Sequence, residues 1–140
     1  MRDLMAMSVR QPWAWAIARG LKNVHGRPEP TTHRGIVVIH AASNWDRSGE
    51  ASPLFTSHIN SRNTKRFPRR ALIAVAELSG CHSRDGCTPW AGPGDWHWLL
   101  TNIWRLPRPV PAQGQPGLWR LPPDLAHAVI TQLLPEAQHA

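Results

Sequence analysis

Short strand-like runs separated by proline- and glycine-rich segments restrict the fold more than any other feature of the chain. Residues 35–42 and 71–78 are β-branched, apolar runs, which predict two buried strands. Apolar and polar side chains alternate over residues 95–101, which predicts a strand with one buried face. Because regular crossover helices do not separate these strands, the pattern favours an α+β, barrel-like domain over a parallel doubly wound sheet.

Weaker patterns predict the remaining elements. Adjacent Ile103 and Trp104 break the alternation near Asn102 and predict a bulge or bend there. In chain order, the other predictions are a strand at 5–9, a helix at 11–19 ended by Gly20, a short strand or loop at 22–27, a loose helix or long connection at 44–63, a stiff connection through the prolines at 107, 109 and 111, a short strand within 114–121 and a helix at 123–134.

The net charge predicts an anionic partner. The 140 residues include 16 Lys plus Arg against 9 Asp plus Glu, for a formal charge of +7, and 14 of the 16 cations are Arg. A guanidinium pairs with phosphate and stacks on rings, so this composition suits RNA or single-stranded DNA. A length of this order is one domain with an adequate core, which excludes two-domain enzyme architectures.

Several other classes of protein are excluded by simple counts. No apolar run approaches the roughly 20 residues of a membrane span, and the first residues lack the apolar centre of a secretory signal. We therefore expect a cytoplasmic protein without membrane contact. Cys81 and Cys87, even with His82 beside them, lack a fourth ligand at a familiar zinc spacing. No metal and no other cofactor is predicted.

Several phrases, taken in order, are similar to the ASCH domain family, whose members are related to the PUA RNA-binding domain. They are SVRQPWA from residue 8, GLK from residue 20, RG from residue 34, IHA from residue 39, Trp98, PVP from residue 109 and GLW from residue 117. The resemblance covers residues 4–122, which leaves residues 123–140 as a C-terminal helix and tail. It implies a PUA-like small β-barrel with flanking helices and a cleft beside the first helix.

The resemblance also points to candidate catalytic residues. The family motif Gly-x-Lys-x-x-(Glu or Thr)-x-Arg stands here as Gly20, Lys22, His25 and Arg27. His25 replaces the Glu of coactivator-like members and the Thr of members that hydrolyse acetylated cytidine. In the latter, the lysine is thought to activate the Thr hydroxyl and a carboxylate assists, which by position would be Glu77. Because the hydroxyl is missing here, that chemistry does not transfer directly.

An enzymatic interpretation therefore uses the residues that remain. Lys22, His25 and Glu77 are the candidate catalytic set, in which His25 would act as general base for RNA cleavage, Lys22 would steady the phosphorane charge and His40 would be the partner acid. The alternatives are that both histidines are structural and that Glu77 forms an ion pair with Lys22 or Arg27.

The leading interpretation is a nucleic-acid-binding protein that holds RNA or single-stranded DNA in a basic cleft by phosphate contacts. Trp13, His40 and Trp98 would form cleft walls, and an exposed Trp45 or Trp90 would stack a base. The cations expected to contact phosphate are Arg10, Lys22, Arg27, Arg34, Arg62, Lys65, Arg66, Arg69 and Arg70.

Two points stay open in the sequence. Ser8, Arg10 and Gln11 would either present donors to an anion or cap the first helix. A module that binds a small molecule or another protein is the third functional alternative.

Overall fold

The computed structural model describes residues 3–50, 52–53, 67–83 and 94–134. Six strands and three helices lie within these ranges. In chain order they are β1 (Met5–Gln11), α1 (Trp13–Ala18), β2 (Val24–Arg27), β3 (Gly35–Trp45), α2 (Arg47–Glu50), β4 (Ala71–Ser83), β5 (Trp96–Pro111), β6 (Leu118–Arg120) and α3 (Pro123–Leu133).

The strands form one mixed sheet in the order β2-β5-β4-β3-β1-β6. β1 and β3 are parallel, and the other neighbouring pairs are antiparallel. This arrangement confirms the predicted α+β class. The expected closed barrel is not confirmed, because among the described residues β2 pairs only with β5 and the three-residue β6 pairs only with β1.

Each face of the sheet carries a buried core. Successive side chains of a strand point to opposite faces, so the neighbouring residues Ala6 and Met7 of β1 belong to different cores. Met7 packs in a core that α1 covers through Ile17, and Ala6 packs in a core that α3 covers through Val129. The helices therefore lie on opposite sides of the sheet, and each shields one core from water.

The strands are longer than the sequence predicts. β3 continues to Trp45 and β4 to Ser83, and β5 runs through the three prolines that were expected to form a separate connection. Pro111 pairs with Ala71 of β4. Proline is tolerated there because, among the described strands, the far half of β5 pairs with β4 alone. The other side of the strand has no ladder that would need a backbone donor from the prolines.

The predicted irregularity near Asn102 is confirmed. The ladder between β4 and β5 shifts register between the Val75–Trp104 and Glu77–Thr101 pairs, and Asn102 has a φ of 49°. One extra residue on β5 therefore forms a bulge, with an asparagine in the left-handed region.

The first helix is shorter than predicted because Gln11 remains in β1. The Gln11 side chain is fully buried, accepts a hydrogen bond from the Trp15 backbone N–H at 2.8 Å and donates to the Pro68 carbonyl at 2.8 Å. Of the two roles considered for Gln11, the structure shows helix capping. The last helix agrees with the prediction to within one residue.

No helix in the described ranges is long and apolar enough to cross a membrane.

Candidate functional site

A cavity of about 350 Å³ lies between β1, the start of α1 and β2. It is called the lysine cavity below. Its lining residues include Ser8, Val9, Arg10, Trp13, Lys22, His25, Gly26, Arg27, Pro28 and Asp46. The cavity thus brings together Arg10, Lys22, His25 and Arg27, which the sequence singled out from different elements.

Lys22 is held in the cavity by the turn that ends α1. The backbone N–H groups of Leu21 and Lys22 both donate to the Ala16 carbonyl, at 2.9 and 3.1 Å, and this fold-back directs the chain beneath the helix. The Lys22 side chain is only 2% exposed, and its Nζ lies 5.3 Å from the centre of the Trp13 ring. Burial lowers the pKa of Lys22 to about 7. The amine can therefore gain or lose a proton near neutral pH.

Trp13 is fixed over the cavity by the junction of β3 and α2. Its Nε1–H donates to Asp46 Oδ2 at 2.9 Å, while Asp46 Oδ1 accepts from the Ser48 and Gly49 backbone and from the Ser48 hydroxyl. Burial raises the pKa of Asp46, but these hydrogen bonds outweigh it and hold the pKa below its usual value. A Cβ at Gly49 would lie 2.7 Å from Trp13 Nε1, so only glycine lets α2 pack this closely.

His25 lies on β2 beside Lys22, and its Nδ1 is buried without a hydrogen-bond partner in the described part of the protein. Burial, and then the positive charges of Lys22 and Arg27, lower the pKa of His25 to about 3. The imidazole is therefore neutral at pH 7 and a weak proton acceptor. A pKa this low disfavours His25 as the general base, whereas the pKa of Lys22 near 7 suits that task.

Arg27 is already paired at the mouth of the cavity. Its Nη2 lies 2.8 Å from Glu29 Oε1, and its guanidinium stacks 4.8 Å from the centre of the Trp98 ring. Trp98 is 1% exposed and donates from Nε1 to the Glu29 carbonyl at 3.0 Å. Trp98 is therefore a core residue that supports Arg27 from behind, and the carboxylate partner of Arg27 is Glu29 rather than Glu77.

Glu77 lies apart from the lysine cavity. It is exposed on β4, and its Oε1 accepts a hydrogen bond from Asn102 Nδ2 at 3.0 Å. The next residue, Leu78, packs in the core that α1 covers, so Glu77 points to the other side of the sheet. The structure brings Lys22 and His25 together and does not bring Glu77 to them, which corrects the expected catalytic set and the expected Glu77 ion pair.

The remaining predicted cations are dispersed. Arg10 is exposed at the lysine cavity, and Arg69 is exposed before β4. Arg34 Nη1 donates to the Thr31 and His33 carbonyls at 3.0 and 2.8 Å, so it braces its own loop. Arg62, Lys65, Arg66, Cys87 and Trp90 lie outside the described residues.

His40 lines a second, larger cavity of about 840 Å³, called the serine cavity below. Its lining includes Ser8, His40, Ala42, Ser43, Arg70 and residues 112–116. Ser8 lines both cavities, so the two adjoin there. His40 contacts Ser8 Oγ and the Ala112 carbonyl, which corrects its expected role as the acid partner in the lysine cavity.

Two features were missed by sequence reasoning. Trp104 is 62% exposed on β5, whereas the proposed base-stacking Trp45 packs edge-on against Phe67 with ring centres 5.4 Å apart. The hydrogen bond between Ser8 and His40 was also missed. Ser8 and His40 are 32 residues apart in the chain and meet only because their strands pair. The patterns of a single sequence do not reveal such a pairing.

Within the described ranges, no group of three or more His, Cys, Asp or Glu is placed to hold a metal ion.

A comparison with protein-family models identifies residues 7–97 as an ASCH domain. The chain belongs to the ASCH domain family. Its sequence is also similar to human Activating signal cointegrator 1, with 26% identity, and to the mouse protein of the same name, with 25% identity, each over 126 residues and 82% of this chain. This ASCH chain spans 22% of the length of either relative.

Solved structures support the ASCH fold. The crystal structure of ASCH from Zymomonas mobilis matches 94% of this chain and 96% of its own, with a TM-score of 0.57 and 17% identity. A Tyr→Phe variant of the Zymomonas protein matches 93% of this chain and 98% of its own, with a TM-score of 0.57 and 18% identity. At this identity the likeness extends to the fold alone.

Proposed function

We propose that this ASCH protein binds RNA or single-stranded DNA at the lysine cavity, chiefly through phosphate contacts. The observation that carries the proposal is the position of Lys22, buried under Trp13 with Arg10 and Arg27 at the same cavity. Arg10 is exposed and available to a phosphate, whereas Arg27 is held rigid by Glu29 and Trp98. The chain's charge of +7 favours the approach of a polyanion.

Salt dependence and one charge reversal test this proposal. Affinity for a short single-stranded RNA, measured by fluorescence anisotropy, is expected to fall steeply with salt. Arg10→Glu should weaken binding and reduce the slope of log affinity against log salt by about 1. Arg120→Glu makes the same change of charge at the exposed residue Arg120 of β6, about five residues along β1 from Arg10, and should have a much smaller effect. Salt-insensitive binding, or equal effects of both variants, would instead favour a small-molecule or protein-interaction module.

Proton uptake gives a second signature of the same binding. A phosphate near Lys22 favours the ammonium, so the pKa of Lys22 should rise from about 7 when nucleic acid binds. Affinity should then be nearly constant below pH 7 and fall as the pH rises above it. Lys22→Met keeps the apolar stem and should remove this pH dependence. A wild-type affinity that is flat from pH 6 to 9 would exclude phosphate contact at Lys22.

A hydrolase is the second candidate function, and the pKa of Lys22 near 7 favours it. In RNA cleavage, neutral Lys22 Nζ would accept the proton of a 2′-hydroxyl while that oxygen attacks the adjacent phosphorus. The P–O5′ bond would break, and the departing oxygen would take a proton from the Lys22 ammonium. The same base would activate water against the amide of an acylated cytidine. Labelled RNA and acylated cytidine, each incubated with wild type and Lys22→Met, test both reactions, since turnover that survives the substitution removes Lys22 from the chemistry.

A further inference from the structure

We propose that Ser8 and His40 form a second reactive site, in which Ser8 Oγ accepts the acyl group of a small, negatively charged ester and water then releases it. The site lies in the serine cavity, which adjoins the lysine cavity at Ser8, and its chemistry does not require nucleic-acid binding there.

The hydrogen bonds fix the protonation pattern that such a site needs. His40 Nε2 lies 2.7 Å from the Ala112 carbonyl oxygen, which can only accept, so Nε2 carries the proton. In the neutral imidazole, Nδ1 then has a free lone pair, and it lies 3.1 Å from Ser8 Oγ. The Ser8 hydroxyl can therefore donate to Nδ1, with the Gln115 carbonyl 3.4 Å away as a more distant alternative acceptor. The Ala112 carbonyl sets the orientation of this base, which is the arrangement of an activated nucleophile.

Burial keeps the His40 imidazole uncharged, which leaves Nδ1 free to accept a proton. His40 is 2% exposed, and desolvation lowers its pKa further than the hydrogen bond to Ala112 raises it. The imidazole is therefore neutral at physiological pH. Ser8 is only partly buried and lines the cavity, so its hydroxyl can meet a ligand.

The segment 112–116 is fitted closely to this pair. A Cβ at Gly114 would lie 2.6 Å from His40 Cε1 and 2.8 Å from Ser8 Oγ, so the backbone covers the pair only because residue 114 is glycine. This cover shields one side of the imidazole from water. The other side of the site opens into the 840 Å³ cavity, which is large enough for a ligand of drug-like size.

The charge at the cavity selects the substrate class. Arg70 lines the cavity, and the described lining includes no carboxylate. The Arg70 backbone is held in place because its N–H donates to the Ala41 carbonyl at 2.7 Å and its carbonyl accepts from the Ala112 N–H at 2.9 Å. The exposed guanidinium carried on this fixed backbone favours an ester with a carboxylate or phosphate.

The proposed reaction has two balanced steps. Ser8 Oγ attacks the ester carbonyl carbon while its proton moves to His40 Nδ1, and that proton leaves with the alcohol as the carbon–oxygen bond breaks. Water then attacks the acyl-serine while His40 Nδ1 takes its proton. The proton returns to Ser8 Oγ as the carboxylic acid is released, which restores the starting state.

An anionic chromogenic ester and its neutral counterpart test the proposal. Wild-type protein is expected to hydrolyse 4-acetoxy-3-nitrobenzoate faster than 2-nitrophenyl acetate, which lacks the carboxylate. Ser8→Ala should lower the rate by about 10²-fold or more. Ser79→Ala removes an exposed hydroxyl on β4, outside the serine cavity, and should leave the rate unchanged. Arg70→Gln should remove most of the preference for the anionic ester.

Mass spectrometry of the wild-type protein keeps the test independent of folding in the variants. Brief reaction with the anionic ester, followed by acid quenching, is expected to leave an acetyl group on the peptide that contains Ser8. His40→Gln should abolish that adduct while the circular dichroism spectrum stays native. The proposal would be overturned if the acetyl group were found on Ser43 or a lysine instead of Ser8. It would also be overturned if the ester were hydrolysed no faster with the protein than in buffer alone. Loss of RNA binding with the adduct intact would contradict only the function proposed for the lysine cavity.

Discussion

Desolvation controls the chemistry of Lys22. An ammonium group removed from water loses hydration, and a cation–π contact with Trp13 replaces only part of it. The pKa consequently falls from 10.5 to about 7, with burial as the cause. The difference corresponds to a cost of up to about 5 kcal/mol for holding the charged form inside the fold. Such a cost is typical of functional sites rather than of surface lysines.

The stability of the protein should therefore rise with pH because of Lys22. Between pH 7 and 10.5 the unfolded chain holds a proton on Lys22 that the folded chain has released, so increasing pH favours folding. Lys22→Met should be more stable than wild type at pH 7 by a few kcal/mol and should lack this part of the pH dependence. Urea unfolding of both proteins at several pH values from 6 to 10 measures the difference. Parallel profiles for the two proteins would show that Lys22 is not desolvated.

The candidate site could be predicted from sequence chiefly where its residues lie close together in the chain. Lys22, His25 and Arg27 belong to one motif on one turn and strand, and the structure places all three at one cavity. The pair of Ser8 and His40 depends on the register of β1 against β3, in which these two residues are partners. A register is set by tertiary packing, which local patterns do not encode.

β5 is the element that departs most from its local sequence signals. Its 16 residues pass from β2 across the whole length of β4, through the bulge at Asn102 and into the proline-rich half. The β-branched and alternating runs predicted where strands lie, because they reflect burial. They did not predict where β5 ends, since proline tolerance depends on which neighbours the strand has. The position of Glu77 was not predicted for a related reason. Register shifts between β4 and β5 on either side of Glu77 determine which face of the sheet its side chain occupies.

Backbone conformation at the bulge gives a prediction for β5. Asn102 has a φ of 49°, a region that asparagine and glycine tolerate and β-branched residues avoid. Asn102→Val should destabilise the protein by about 1–3 kcal/mol, whereas Asn102→Gly loses only the hydrogen bond to Glu77 and should cost less. Thermal unfolding by circular dichroism compares the two. Glu77→Gln keeps an acceptor for Asn102 and serves as the control, which should remain near wild type.

The C-terminal helix is part of the packing of the entire protein. Val129 of α3 is fully buried in the second core. The Gln132 side chain accepts from the Arg108 N–H at 3.0 Å and donates to the Arg108 carbonyl at 2.9 Å, so it pairs with a free stretch of β5 as a neighbouring strand would. The family resemblance ended at residue 122. A chain that stopped at that residue would lack α3 and would leave one face of the sheet uncovered.

Removal of α3 should therefore disrupt more than the tail. A chain ending at Pro122 exposes the second core and should lose several kcal/mol of stability, bind a hydrophobic dye and unfold with reduced cooperativity. Gln132→Ala tests the same contact more gently and should cost about 1–3 kcal/mol, because it leaves the Arg108 backbone groups without their partner. Urea unfolding followed by tryptophan fluorescence measures both. If the truncated chain were as stable as wild type, residues 123–140 would not contribute to the stability of the domain. That result would agree with the sequence-based division at residue 122.

The position of the two edge strands has a consequence for how the protein behaves at high concentration. The end of β2 and the start of β6, at opposite edges, line one cavity of about 600 Å³ through Arg27 and Leu118. Pro28, Pro30 and Pro116 flank these edges and cannot donate a backbone hydrogen bond. Strand edges that face each other across a shared space, bordered by proline, offer a poor template to a strand from another molecule. We therefore expect these two described edges to pair poorly with strands of other molecules.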